Sequence, residues 1–192
     1  MKGRSNRKRK VLKVDEEFLL KARSKFKIIG PPIPEEVILS VFPSPFPGRD
    51  DLVLFYLNIN GGGITPQCCL IHCGKPEHRV SRDNLENIRV EGFFSIPEDP
   101  GDRMLPFAQM LRHRSRLLET YREIPEAMAF LDRHMPIAFD HSGNGLWIDV
   151  RTGRVRFLDW AEYRLGSVEI APSFRDFVAQ FWNGASMDEP PE

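Results

Sequence analysis

The sequence predicts a sheet-and-helix domain, and two stretches near the C-terminus carry that expectation. The first is a three-stranded antiparallel meander. Pro136 to Phe139 is short and apolar, and Asp140-His141-Ser142-Gly143-Asn144-Gly145 is dense in residues that accept a positive φ or bond their own backbone. Leu146, Ile148 and Val150 then alternate with Trp147 and Asp149, the period of a strand. Arg151-Thr152-Gly153-Arg154 makes a second turn with a left-handed glycine, and Val155, Phe157 and Leu158 form a third strand ending near Asp159-Trp160. The second stretch is a closing helix. Ser173 and Asp176 have capping-box spacing, and Phe174, Phe177, Val178, Phe181 and Trp182 follow as one apolar stripe until Asn183-Gly184 stops it. Fully buried, each aromatic of that stripe is worth about 2 kcal/mol, and the surface it is expected to cover is one face of the meander.

The remaining elements follow from the N-terminus. Val14, Phe18, Ala22 and Phe26 predict an amphipathic helix to about Ile28, ended by Gly30-Pro31-Pro32. Four prolines from Pro34 to Pro47 predict an extended, irregular segment with at most a turn or a short strand around Val37 to Phe42. Leu52, Phe55, Tyr56 and Ile59 share a helical face, with Asp50 and Asp51 at the front where the helix dipole favours them. Asn60-Gly61-Gly62 stops that helix. Ile64 to Cys73 is a candidate strand, and another is centred on Phe93. Met104, Ala108, Leu111, Ser115 and Leu118 mark a long helix to about Glu123, and Pro125 to Arg133 is a shorter one feeding the meander.

A chain of 192 residues, 41% hydrophobic and 28% charged, suits one domain with a proper core. Formal net charge is +0, so the protein as a whole has no bias toward nucleic acid or acidic membranes. Charge is nevertheless uneven: Lys2, Arg4, Arg7, Lys8, Arg9, Lys10 and Lys13 precede the first acid at Asp15, while Asp188, Glu189 and Glu192 close the chain. No apolar run reaches the length of a membrane span, and the basic N-terminus lacks the apolar stretch of a secretory signal. The cysteines, Cys68, Cys69 and Cys73, are odd in number and two are adjacent, so reduced thiols and a cytoplasmic location are expected.

No arrangement nominates a catalytic centre. Cys68, Cys69, His72, Cys73 and His78 are zinc-type ligands, but they form no paired CxxC knuckle and fit cysteines on a strand better. His134, Asp140, His141, Asp149 and Asp159 crowd the meander, where carboxylates and histidines can serve a hydrolytic metal. Turn formation by Asp140 and His141 and strand alternation by Asp149 account for them more simply. GxSxG, P-loop, HExxH and GxGxxG motifs are all missing. The glycines at Asn60-Gly61-Gly62-Gly63 follow a helix instead of opening one, so their amides do not present a phosphate site.

Two segments together resemble the SUKH superfamily, which holds the yeast Smi/Knr cell-wall regulators and many bacterial immunity proteins. Phe46-Pro47 and then Asp51 to Gly62 are similar to its proline-started helix ending in Asn-Gly-Gly. Met135 to Asp140, Ser142-Gly143-Asn144-Gly145 and Leu146 to Asp149, then Val155 to Asp159, are similar to its hairpin and following strand. Ala171 to Phe177 is similar to the start of its terminal helix. The resemblance implies an α+β fold, a single domain with a twisted antiparallel sheet and helices packed around it. The resemblance covers about Phe46 to Trp182; composition and charge then predict a flexible basic tail at 1–10 and an acidic tail at 185–192 around a SUKH-like domain at 11–184. Asn60, Gly61, Gly62, Gly143, Asn144 and Ser173 are then the structural signature.

The resemblance also implies a non-enzymatic role without cofactor or metal. The expected function is an immunity protein that occludes a cognate polymorphic toxin, a nuclease in many such pairs. Small-molecule substrates, direct nucleic-acid binding and membranes are not expected. Substrate faces of nucleases are basic, so an acidic contact surface is expected here, and Asp140, Asp149, Asp159 and Glu162 flank the turns and strand ends. The alternative is a regulatory interaction module of the Smi/Knr type with no toxin partner, and a metal-dependent hydrolase is the remote one.

Overall fold

A computed structural model of the chain describes residues 18–20, 22–27, 29–64, 70–72, 87–96, 109–140, 142–160 and 167–181. The expected meander is its centre: β4 (His134–Asp140), β5 (Gly145–Asp149) and β6 (Val155–Leu158) pair antiparallel. Both of its turns use a glycine at positive φ, Gly143 at 80° and Gly153 at 72°. The sheet extends on either side. β3 (Asn87–Phe93) pairs with β4, and β1 (Gly62–Gly63) and β2 (Leu70–His72) both pair with β3. β7 (Val168–Ala171) pairs with β6, so the order is β1-β3-β4-β5-β6-β7, antiparallel throughout. The fold is α+β.

Besides the N-terminal helix, described at residues 18–20 and 22–23, the chain forms α1 (Glu35–Val41), α2 (Arg49–Asn58), α3 (Met110–Thr120), α4 (Pro125–Arg133) and α5 (Phe174–Ala179). Successive residues of β5 enter different cores. Leu146 and Ile148 belong to a large cluster with Ile38 of α1 and its C-cap Phe42, Phe55 and Tyr56 of α2 and Phe174 and Phe177 of α5. Trp147, between them, belongs to a second cluster with Leu117 of α3 and Ala127 and Leu131 of α4. The sheet is therefore covered on both faces, and every residue of β5 is buried, including Asp149 at 3% exposure. β5 alternates as expected but presents no exposed face, because α3 and α4 cover the side that carries Trp147.

Other expectations are corrected by the structure. Glu35 to Val41 is helical where an extended segment was predicted. Pro34 sits at its N-cap with φ −63°, a position that needs no N–H, and the next prolines come only after the helix has ended. The N-terminal helix stops before Phe26, which instead forms an antiparallel bridge to Ile64 and packs its ring on Phe55 and Phe93 at 5.8 and 5.5 Å. The short strand β7 was not foreseen. The closing helix ends at Ala179 with Gln180 as its C-cap, so Phe181 lies beyond it, yet that ring is buried against Phe93 and Phe177 at 5.8 and 5.1 Å. The aromatic stripe meets Phe93 of β3 and Phe55 of α2, so it seals the sheet beside the meander as well as over it. Met104 to Ala108, Trp182, Asn183, Gly184 and both tails lie outside the described residues.

Candidate interaction site

The Asn60-Gly61-Gly62 signature works as a clamp on the chain that leaves β3. Asn60 is buried, its Nδ2 donates to the Ile96 carbonyl at 2.8 Å, and its Oδ1 accepts from the Ile96 N–H at 2.8 Å. The side chain thus imitates a paired strand residue, a role beyond the helix stop read from sequence. Gly61 (φ 67°) lies against the Phe94–Ser95 backbone, where a Cβ would come within 2.6 Å of it. Tyr56 completes the clamp: its hydroxyl donates to the Phe94 carbonyl at 3.1 Å, and burial pushes the phenol well above its usual range.

Antiparallel register sorts the expected acidic residues by position. Asp140 ends β4, Phe139 faces Gly145, and Gly145 faces Leu158, so Asp140 and Asp159 share one end of the sheet. Their proximity is visible in the ionisation of Asp140: burial raises its carboxyl, and the charge of Asp159 raises it further, against hydrogen bonds from Asn144 and Ser142. Asn144 donates to Asp140 from its backbone N–H at 2.7 Å and from Nδ2 at 3.1 Å, which fixes the turn and gives both signature residues, Gly143 and Asn144, a structural reason. Ser142 and Gly143 are exposed at its tip.

Asp149 sits at the opposite end, paired in register with His134. Its Oδ2 takes the Arg133 guanidinium at 2.6 Å, and its Oδ1 accepts from the N–H groups of Arg151 and Thr152 at 2.8 and 3.3 Å. Burial raises this carboxyl, but the Arg133 hydrogen bond and the two amides outweigh it and hold the group well below the usual carboxylate range. Asp149 is therefore committed to closing the β5–β6 turn. Sequence reasoning passed over Arg133, although a basic residue in the last turn of a predicted helix leading straight into the meander was available as a signal. Glu162, His141, the cysteines and His78 lie outside the described residues, and Ser173 is the N-cap of α5, accepting from the Asp176 N–H at 3.1 Å.

The hydrolytic-metal arrangement does not assemble from the described part of its set. His134 and Asp149 are at one end of β4 and Asp140 is at the other. Among the described residues, no group of three or more His, Cys, Asp or Glu side chains is placed to hold a metal ion. No helix among the described residues is long and apolar enough to cross a membrane.

An antiparallel sheet wrapped by helices, with its polar signature residues spent on turns and clamps, defines an α+β scaffold. The model of the SMI1 / KNR4 family (SUKH-1) matches residues 49–180, which run from the first residue of α2 to the C-cap of α5. The chain belongs to the SMI1 / KNR4 family (SUKH-1). No curated protein matches the chain.

Proposed function

We propose that this protein is a cytoplasmic, non-enzymatic immunity protein that neutralises a cognate protein toxin by binding and occluding it. Membership of the family supports a protein-interaction role. The observation that carries the choice of surface is the shared sheet end of Asp140 and Asp159 beside the exposed Ser142-Gly143 tip. Two carboxylates at one rim suit a basic partner surface such as the substrate face of a nuclease. Glu162 follows Asp159 closely in sequence and is proposed for the same contact. Asp149, held by Arg133 and two amides, supports the contact only indirectly through the fold.

The test is co-expression with the product of the neighbouring open reading frame. Growth rescue by the wild type and its loss in the Asp140→Asn/Asp159→Asn double variant, with folding retained, is the expected result. Rescue unchanged in that variant removes the surface assignment, and absence of any toxin gene nearby moves the function to the regulatory branch. That second reading, an interaction module of the Smi/Knr type, is favoured by the family description itself.

A further inference from the structure

Between the sheet and the α3–α4 pair lies a layer of rings with unusual polar content. Trp147 is within 5.4 Å of Phe130, 5.6 Å of Trp160 and 6.0 Å of His113, measured between ring centroids. His134 stacks on Phe130 at 3.9 Å and 8°. The His113 ring lies against Phe94 at 4.6 Å between centroids, tilted by 30°. The Nε2 atoms of both histidines are buried and make no hydrogen bond.

His134 has a fixed tautomer. Its Nδ1 lies 2.8 Å from the Phe130 carbonyl, an acceptor, so Nδ1 carries the proton and Nε2 is a bare lone pair. Adding a second proton buries a cation whose new N–H has no acceptor. Among the described residues the carboxylate acting on it is that of Asp149, which already spends Oδ2 on Arg133 and Oδ1 on two amides. The other charges acting on His134, Arg133 of α4 and Arg156 of β6, are cationic. On His113 the acting charge is Arg116, one turn along α3, and its sheet-side ring neighbours are Phe94 and Trp147.

We propose that the α3–α4 layer is an acid-labile cover over one face of the sheet, loosened when His134 and His113 take up protons. The layer is coupled to both histidines by position. α4 runs into β4 with no intervening loop, and His134 is the joint residue. Release of its ring from Phe130 frees the ring that props Trp147 and Trp160.

The ionisation supports this with a definite sign. Burial lowers His134, and burial followed by the charge of Arg116 pushes His113 down to about 4. The open chain binds these protons from about pH 6.5 downward while the closed layer binds them only at lower pH, so acidification favours opening across that window. Protonation at physiological pH is minimal, and the cover stays shut.

The experiment is tryptophan emission against pH for the wild type and for His113→Phe/His134→Asn. Asparagine keeps a donor for the Phe130 carbonyl and phenylalanine keeps a ring against Phe94, and neither titrates. The wild type is expected to shift to the red between about pH 6.5 and 4, and the double variant to make that shift at least about one pH unit lower. Superimposable curves overturn the proposal. Should the double variant not fold, NMR titration of the wild-type imidazoles decides: a histidine that titrates near pH 6.5 with tryptophan emission unchanged also overturns it. Neither readout involves a toxin, so the outcome is independent of the proposed function.

Discussion

The side chain of Asn60 and the backbone of Ile96 exchange two hydrogen bonds of 2.8 Å each inside the core. Replacing Asn60 by alanine leaves both the N–H and the carbonyl of Ile96 buried and unpaired, which costs about 1–3 kcal/mol per group. Urea denaturation of Asn60→Ala is expected to show a stability loss of roughly 3 kcal/mol with an unchanged slope. Asn60→Asp is expected to be worse at neutral pH, because a carboxylate oxygen replaces the donor and faces the Ile96 carbonyl.

Gly61 and Gly143 both have positive φ, 67° and 80°, but their surroundings differ. An alanine at 143 meets nothing within 4 Å and carries only the left-handed penalty, about 1–2 kcal/mol. An alanine at 61 places its Cβ 2.6 Å from the Phe94–Ser95 backbone, which has little freedom to move. Gly61→Ala is expected to cost at least ~3 kcal/mol by denaturant melting, clearly more than Gly143→Ala. Equal losses at the two sites would refute the clamp.

Asp149 links stability to pH. Its carboxyl is depressed in the folded protein, so the stabilisation is present above the unfolded value of about 3.9 and is lost as pH falls through the lower folded value. Asp149→Asn is expected to be less stable at pH 7 and to show a flatter decline between about pH 4 and 2 than the wild type. Thermal melts across that range check it. This acid limb lies below the window of His113 and His134, so the two effects separate on the pH axis.

Ser173 holds the start of α5 through the Asp176 N–H at 3.1 Å and the Asp176 carboxylate at 2.6 Å. Ser173→Ala is expected to cost about 1 kcal/mol. In a domain of this size that lowers Tm by about 3 °C, readable by calorimetry.

What sequence revealed and what it hid divide along local and distant causes. The meander was legible because alternation and two glycine turns are encoded within a few residues, and α4 because Pro125 opens it at the first helical position. The same meander already implied that Asp140 and Asp159 share one end and Asp149 the other, since antiparallel strands reverse at each turn. Burial of Trp147 and Asp149 was not legible, because it depends on α3 and α4 arriving from elsewhere in the chain. β7 hid for another reason: Val168 and Ile170 alternate over too short a run to stand out before Pro172. The early end of α5 was masked by Phe181, whose burial continues the apolar rhythm after the helix has stopped.

With helices on both sides of the sheet, its broad surfaces are spent on packing, and the contact proposed above falls to the rim of turns and strand tips. Rim side chains such as Ser142 carry little of the packing energy. A lineage can therefore rewrite whom this scaffold meets, residue by residue, while the interior that keeps it folded stays the same.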